Sequence, residues 1–265
     1  MIRPALAAVL VLCAAAASAQ TPEQRRVFVG CPILRNTSPV PCWLGEDAGE
    51  LYYLGPQGDL GAAFYPPQFN HKMLVEGVVT SERKCGAIVL KNVKTSVLPD
   101  LEPTCNITLP AQGYSESTEI RGPGPSGKRG EPAETRPRPP PPSAPALTPP
   151  YAARDFTATF DADTERMWRQ AQSAVTEAAR YITATKAQAV TVTGYRAAIR
   201  LSNGSDFVER DSVGPARAKT VADALRNIGL PAGTKLTVKS EPAPIPSTGA
   251  AKDADSRKVV ISVSP

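Results

Sequence analysis

Hydrophobic and polar positions change rhythm three times along this chain. Between residues 25 and 114 the apolar residues come in short β-branched and aromatic runs: Leu51–Leu54, Met73–Thr80 and Gly86–Leu98. Gly, Pro and Asn punctuate these runs, and none carries a three-to-four spacing, so the segment reads as strands. From about Ser115 to Tyr151 large apolar residues almost vanish among Pro and Gly. That stretch cannot bury enough surface to offset chain entropy and is expected to be extended or unfolded. From Asp155 the rhythm alternates between strand and helix. Phe156, Ala158 and Phe160 alternate with polar neighbours, as in a half-buried strand. Met167, Ala171, Ala174, Val175, Ala178, Ala179 and Ile182 then recur at helical spacing, with Asp163 or Thr164 as the expected N-cap. A strand over 189–195, a helix over 213–231 ended by Gly229 and Pro231, and strands over 234–240 and 257–264 complete the order β-α-β-α-β-β. That order predicts helices on one face of a mixed sheet.

These rhythms divide the chain into an expected leader (1–19), a small β domain (20–114), a Pro/Gly-rich linker (115–150) and an α+β domain (151–265). The leader reads as a signal peptide: Arg3, an apolar run over 5–17, then Ala17-Ser18-Ala19. The run is shorter than the roughly 20 residues a membrane span needs, and no later stretch is longer, so no transmembrane segment is expected in the mature chain. The proline run Pro139–Pro142 reads as part of a spacer.

Composition sharpens the picture in two places. The chain carries a formal charge of +5, without a long basic run, which speaks against nucleic acid as a partner. With Cys13 in the leader, four cysteines remain, Cys31, Cys42, Cys85 and Cys105. An even number in a secreted chain reads as two disulfides. Local pairing, Cys31–Cys42 and Cys85–Cys105, is the favoured connectivity, each loop contributing about 3 kcal/mol in the chain-entropy model. There is no Cys-x-x-Cys spacing and one histidine, His71, so no metal or other cofactor is implied. Nor can a nucleophile–base pair be assembled, which excludes the familiar hydrolase motifs.

In the first domain, a strand with central Gly77, a turn, and a long strand interrupted at Asn92 together resemble small five-stranded OB-like barrels. Trp43, Tyr52, Tyr53, Phe64 and Tyr65 either line a ligand face of such a barrel or fill a small disulfide-stapled core, with the core as the default.

The strings "FTATFDAD", "VTVTGY", "ARAKTVADALRNIGLPAGTKLTV" and "DSRKVVISV" resemble, in order, the OmpA-like C-terminal domain over about residues 155–264. The resemblance implies a periplasmic envelope protein of a Gram-negative bacterium, associated with the outer membrane or cell wall. It also implies a grip on the diaminopimelate stem peptide of peptidoglycan. An aspartate after the second strand pairs with the ligand ammonium, and an arginine on the next helix pairs with its carboxylate. Arg217 falls on that arginine. At the aspartate's place this chain has Ala197, after Gly194-Tyr195-Arg196. Losing one charge-assisted contact is worth about 1.5–3 kcal/mol. The loop that follows is four or five residues longer than usual and carries a turn signal at Asn203-Gly204.

Two readings follow. In one, a divergent peptidoglycan grip uses Arg217 and Arg257, with Asp206 or Asp211 as a displaced acid. In the other, the domain is a scaffold for envelope proteins that no longer binds the cell wall. In the second reading Arg217 is an ordinary helix residue, and Asp206 and Asp211 serve a turn and a helix cap.

Overall fold

The computed structural model describes residues 24–58, 66–115, 149–249 and 251–265. The expected leader, Phe64 and Tyr65, and most of the Pro/Gly-rich stretch lie outside these residues. Among them, no helix is long and apolar enough to cross a membrane.

The three β-branched runs expected to be strands are strands, and they extend further than their apolar cores. β1 (Arg25–Gly30), β2 (Pro32–Ser38), β3 (Cys42–Asp47), β4 (Glu50–Pro56), β5 (His71–Lys84), β6 (Ala87–Leu101) and β7 (Ile107–Ser115) form one sheet. Its strand order is β1-β5-β6-β4-β3-β2-β7. β1 and β2 stand near opposite ends of that order although only Cys31 separates them in sequence. The sheet must therefore curl until its ends meet. β2–β3–β4 is an antiparallel meander, β4 runs parallel to β6, and β5 and β6 make a long hairpin. Trp43, Tyr52 and Tyr53 are each about 95 % buried in the interior, so the three described aromatics fill the core. Gly77 and Asn92 mark one feature. Glu76 pairs with Lys94 and Val78 with Lys91, leaving Gly77 opposite Asn92 and Val93, a β-bulge. Asn92 takes the left-handed conformation there (φ 52°), and a Cβ on Gly77 would lie 3.0 Å from that of Leu90.

All four cysteines pair, but not locally. The bonds are Cys31–Cys105 and Cys42–Cys85. Tertiary topology overrides the preference for short loops: β7 lies beside β2, which brings Cys105 to the β1/β2 junction. The turn of the β5–β6 hairpin carries Cys85 to the start of β3. Loops of 74 and 43 residues constrain the unfolded chain by about 4 kcal/mol each in the entropy model, against about 3 for the local pairing.

The second half follows the expected order, with an inserted hairpin. β8 (Arg154–Thr159), α1 (Arg169–Thr185), β9 (Ala189–Gly194), β10 (Ala198–Arg200), β11 (Asp206–Val208), α2 (Val213–Ile228), β12 (Lys235–Ser240), a short 3-10 turn (Ala251–Ser256) and β13 (Lys258–Ser264) follow in sequence. The four-stranded sheet has the order β12-β9-β13-β8, with β9 and β12 parallel and β13 antiparallel to its two neighbours. Both helices bury their apolar stripes in a single core, Val175, Ala178 and Ile182 from α1 and Val221 and Leu225 from α2. α1 begins four or five residues later than an N-cap at Thr164 or Asp163 requires. Trp168 takes the N-cap position without a side-chain cap bond. Asp163 is unavailable because its carboxylate is held by Arg210, accepting from the backbone N–H at 2.9 Å and from Nε at 2.8 Å.

Candidate functional site

The end of β9 and the start of α2 meet closely enough that their sequence is constrained. A Cβ on Gly194 would lie 2.0 Å from the carbonyl oxygen of Gly214. Glycine at 194 therefore lets the first turn of α2 rest on the strand end, which sets Arg217 one turn further along, under the loop that leaves β9.

Arg217 is completely buried, and all five of its N–H donors are used. Nε donates to Thr164 O at 2.8 Å. Nη1 donates to Tyr195 O and to Glu209 Oε2, both at 3.0 Å. Nη2 donates to Asp161 O at 2.8 Å and to Glu209 Oε1 at 2.6 Å. The guanidinium carbon also stands 5.2 Å from the centre of the Phe160 ring. Glu209 is equally enclosed, at 1 % exposure. Besides the fork from Arg217, its carboxylate accepts the backbone N–H of Asp163 at 2.8 Å and of Ala197 at 2.7 Å. A buried ion pair offsets its desolvation only with near-complete hydrogen bonding of both partners, and this pair has it.

Ala197, which stands at the place of the aspartate in the sequence resemblance, is itself fully buried. The segment after β12 covers it: Ala197 bridges Ile245, Ala198 N donates to Ile245 O, and Ile245 N to Arg196 O. Arg196 fastens that cover, donating to Pro242 O and Glu209 O and pairing with Asp211 at 2.8 Å. A carboxylate at position 197 would have no route to solvent.

The four residues singled out from the sequence do not converge. Asp206 pairs with Arg200 across the β10–β11 hairpin, with both side chains exposed. Asp211 pairs with Arg196 and is 91 % exposed. Arg257 points into the first half of the chain, where it meets Glu76. Neither aspartate faces Arg217; Glu209 does, and the sequence reading passed over it. The available signal was its position. The inserted hairpin must return to the start of α2, and Glu209 is the first acid after its second strand, eight residues before the arginine.

Beside this closed pair lies a cleft of about 510 Å³ between the two halves, lined by His71, Leu98, Asp161, Thr164, Glu165 and Trp168 among others. His71 is half-buried at the start of β5, its Nδ1 2.8 Å from Leu98 O. Burial raises the Asp161 carboxyl above its ordinary value, although Arg257 and a hydrogen bond from Trp168 pull the other way.

No family model matches the chain, and no curated protein matches it. Solved structures do. The likeness is to OmpA-like and MotB-like domains. The OmpA-like domain of FopA1 from Francisella tularensis subsp. tularensis SCHU S4 is 22% identical, over 43% of this chain and 73% of that one, with a TM-score of 0.32. A MotB-like protein from Desulfovibrio vulgaris is 16% identical, over 42% of this chain and 75% of that one, at 0.34. The cell wall anchor of the T6SS from Pseudomonas aeruginosa is 23% identical, over 42% and 80%, at 0.31.

Proposed function

We propose that this chain is a non-enzymatic protein of a Gram-negative envelope whose OmpA-like half (151–265) acts as a structural scaffold for envelope proteins. One observation carries the reading: every N–H of Arg217 is engaged within the fold, and Glu209 supplies the carboxylate that a ligand would otherwise bring. Stem-peptide recognition of the kind the sequence resemblance implies needs that arginine free and an acid at position 197. The first is closed and the second is alanine. The first half (20–114) is, in this proposal, an OB-type barrel: the β2–β3–β4 meander, the parallel β4/β6 step and the β5–β6 hairpin support it. Two disulfides support an oxidising compartment, and with the expected leader they support a periplasmic location.

A second reading, tethering at peptidoglycan, has one observation in its favour. The four N–H groups around Glu209 form a well-built carboxylate hole, and a ligand that displaced Glu209 would find it ready. Co-sedimentation of the whole mature chain with purified sacculi separates the two. The scaffold reading expects the wild-type protein in the supernatant. Wild-type protein in the pellet, released by Arg217→Ala, would overturn it in favour of tethering.

A further inference from the structure

Glu76 lies in the middle of β5, and Arg257 lies just before β13, 181 positions away. Arg257 Nη2 donates to Glu76 Oε2 at 2.8 Å, and the two side chains are 3 % and 2 % exposed. Arg25, on the neighbouring strand β1, reaches the other carboxylate oxygen at 3.4 Å. Arg257 Nε and Nη1 are buried without a hydrogen-bond partner, so among the described residues Glu76 supplies the hydrogen-bonded ion pair of this side chain.

The pair sits within a layered contact. Next to it Val27 and Leu74 of the first half pack on Ala162 and Ile199 of the second. Val27 and Ser202 bond reciprocally, Val27 N to Ser202 Oγ and Ser202 N to Val27 O, both at 2.8 Å. Ala162 N donates to Ser96 Oγ at 2.9 Å. At the margin the exposed pair Arg210–Asp100 closes at 3.3 Å. A small apolar centre, one desolvated charge pair and a polar rim make up the anatomy of a specific protein–protein interface. Separating the halves would take from Arg257 the carboxylate it pairs with and leave Glu76 with the longer contact to Arg25 alone. Both disulfides lie inside the first half, so apart from the main chain nothing covalent joins the two.

We propose that this surface is a self-sufficient recognition interface: the β half binds the OmpA-like half without help from the intervening chain, and Glu76–Arg257 is the contact that decides it. The inference does not depend on whether the Arg217 site is closed.

A protease site inserted within residues 116–148 of the mature protein, cut after folding, tests this by size-exclusion chromatography at micromolar concentration. The cut wild-type protein is expected to elute as one species containing both fragments. Arg257→Ala is expected to weaken the pairing by about tenfold or more, as for a central interface residue. Asp100→Arg is exposed and should leave each half folded; it is expected to weaken the pairing a few-fold in low salt and less in high salt. Circular dichroism of each uncut variant establishes that it is folded. If the cut wild-type fragments elute separately, or if the folded Arg257→Ala and Asp100→Arg fragments pair as tightly as wild type, the proposal fails.

Discussion

Glu209 and Arg217 form a bidentate ion pair, at 2.6 and 3.0 Å, with neither side chain reaching solvent. It closes the place where a free arginine was expected, and it ties the segment before α2 to the loop after β9 and to the turn after β8.

Breaking that pair from one side leaves an uncompensated buried charge. Glu209→Ala and Arg217→Ala are each expected to lower unfolding stability by about 3–5 kcal/mol, read as a shift of the denaturation midpoint at constant slope. Glu209→Gln keeps the shape and two acceptor contacts but not the charge, and should fall between wild type and Glu209→Ala. Unfolding free energies within a few tenths of a kcal/mol of wild type would mean that the pair is open in solution.

Gly194 offers a test of the contact that positions the site. Alanine there would set a Cβ against the Gly214 carbonyl at 2.0 Å, and a backbone atom cannot rotate away. Gly194→Ala is expected to displace the start of α2 and to cost about 1–3 kcal/mol or more, the usual range for overpacking. Amide exchange should rise first over residues 213–217. An unchanged exchange pattern there would contradict the close approach.

Asp161 gives stability a pH dependence of known sign. Burial raises its folded-state value above 3.8, against the pull of Arg257 and Trp168. Between the unfolded and folded values the native state holds more protons, so stability falls as pH rises through that window. Asp161→Asn should remove this decline and raise stability at neutral pH relative to wild type, as measured by chemical denaturation across the acidic range. A steeper decline in the variant would reverse the assignment.

Peptide mapping without reduction should recover Cys31 linked to Cys105 and Cys42 linked to Cys85. Removing the second bond as Cys42→Ser/Cys85→Ser is expected to cost about 2–5 kcal/mol, as for native disulfides of small secreted domains.

The linear pattern determined a good deal by itself. Alternation at Phe156, Ala158 and Phe160, helical spacing through Ile182 and the Gly229-x-Pro231 stop are local signals, and strands and helices are local decisions driven by which face meets a core. The helix carrying Arg217 was legible for the same reason, as was the departure at Ala197. Tertiary structure decided the rest. The strand order, not loop length, chose Cys105 for Cys31 and Cys85 for Cys42. Arg257 reads in sequence as a candidate for the peptidoglycan grip, yet it meets Glu76 from the other half, because charge partners are selected by packing across distances the sequence does not encode. Glu209 was overlooked for that reason too. A carboxylate's role depends on which N–H groups surround it, and the four around this one come from three separate stretches of chain.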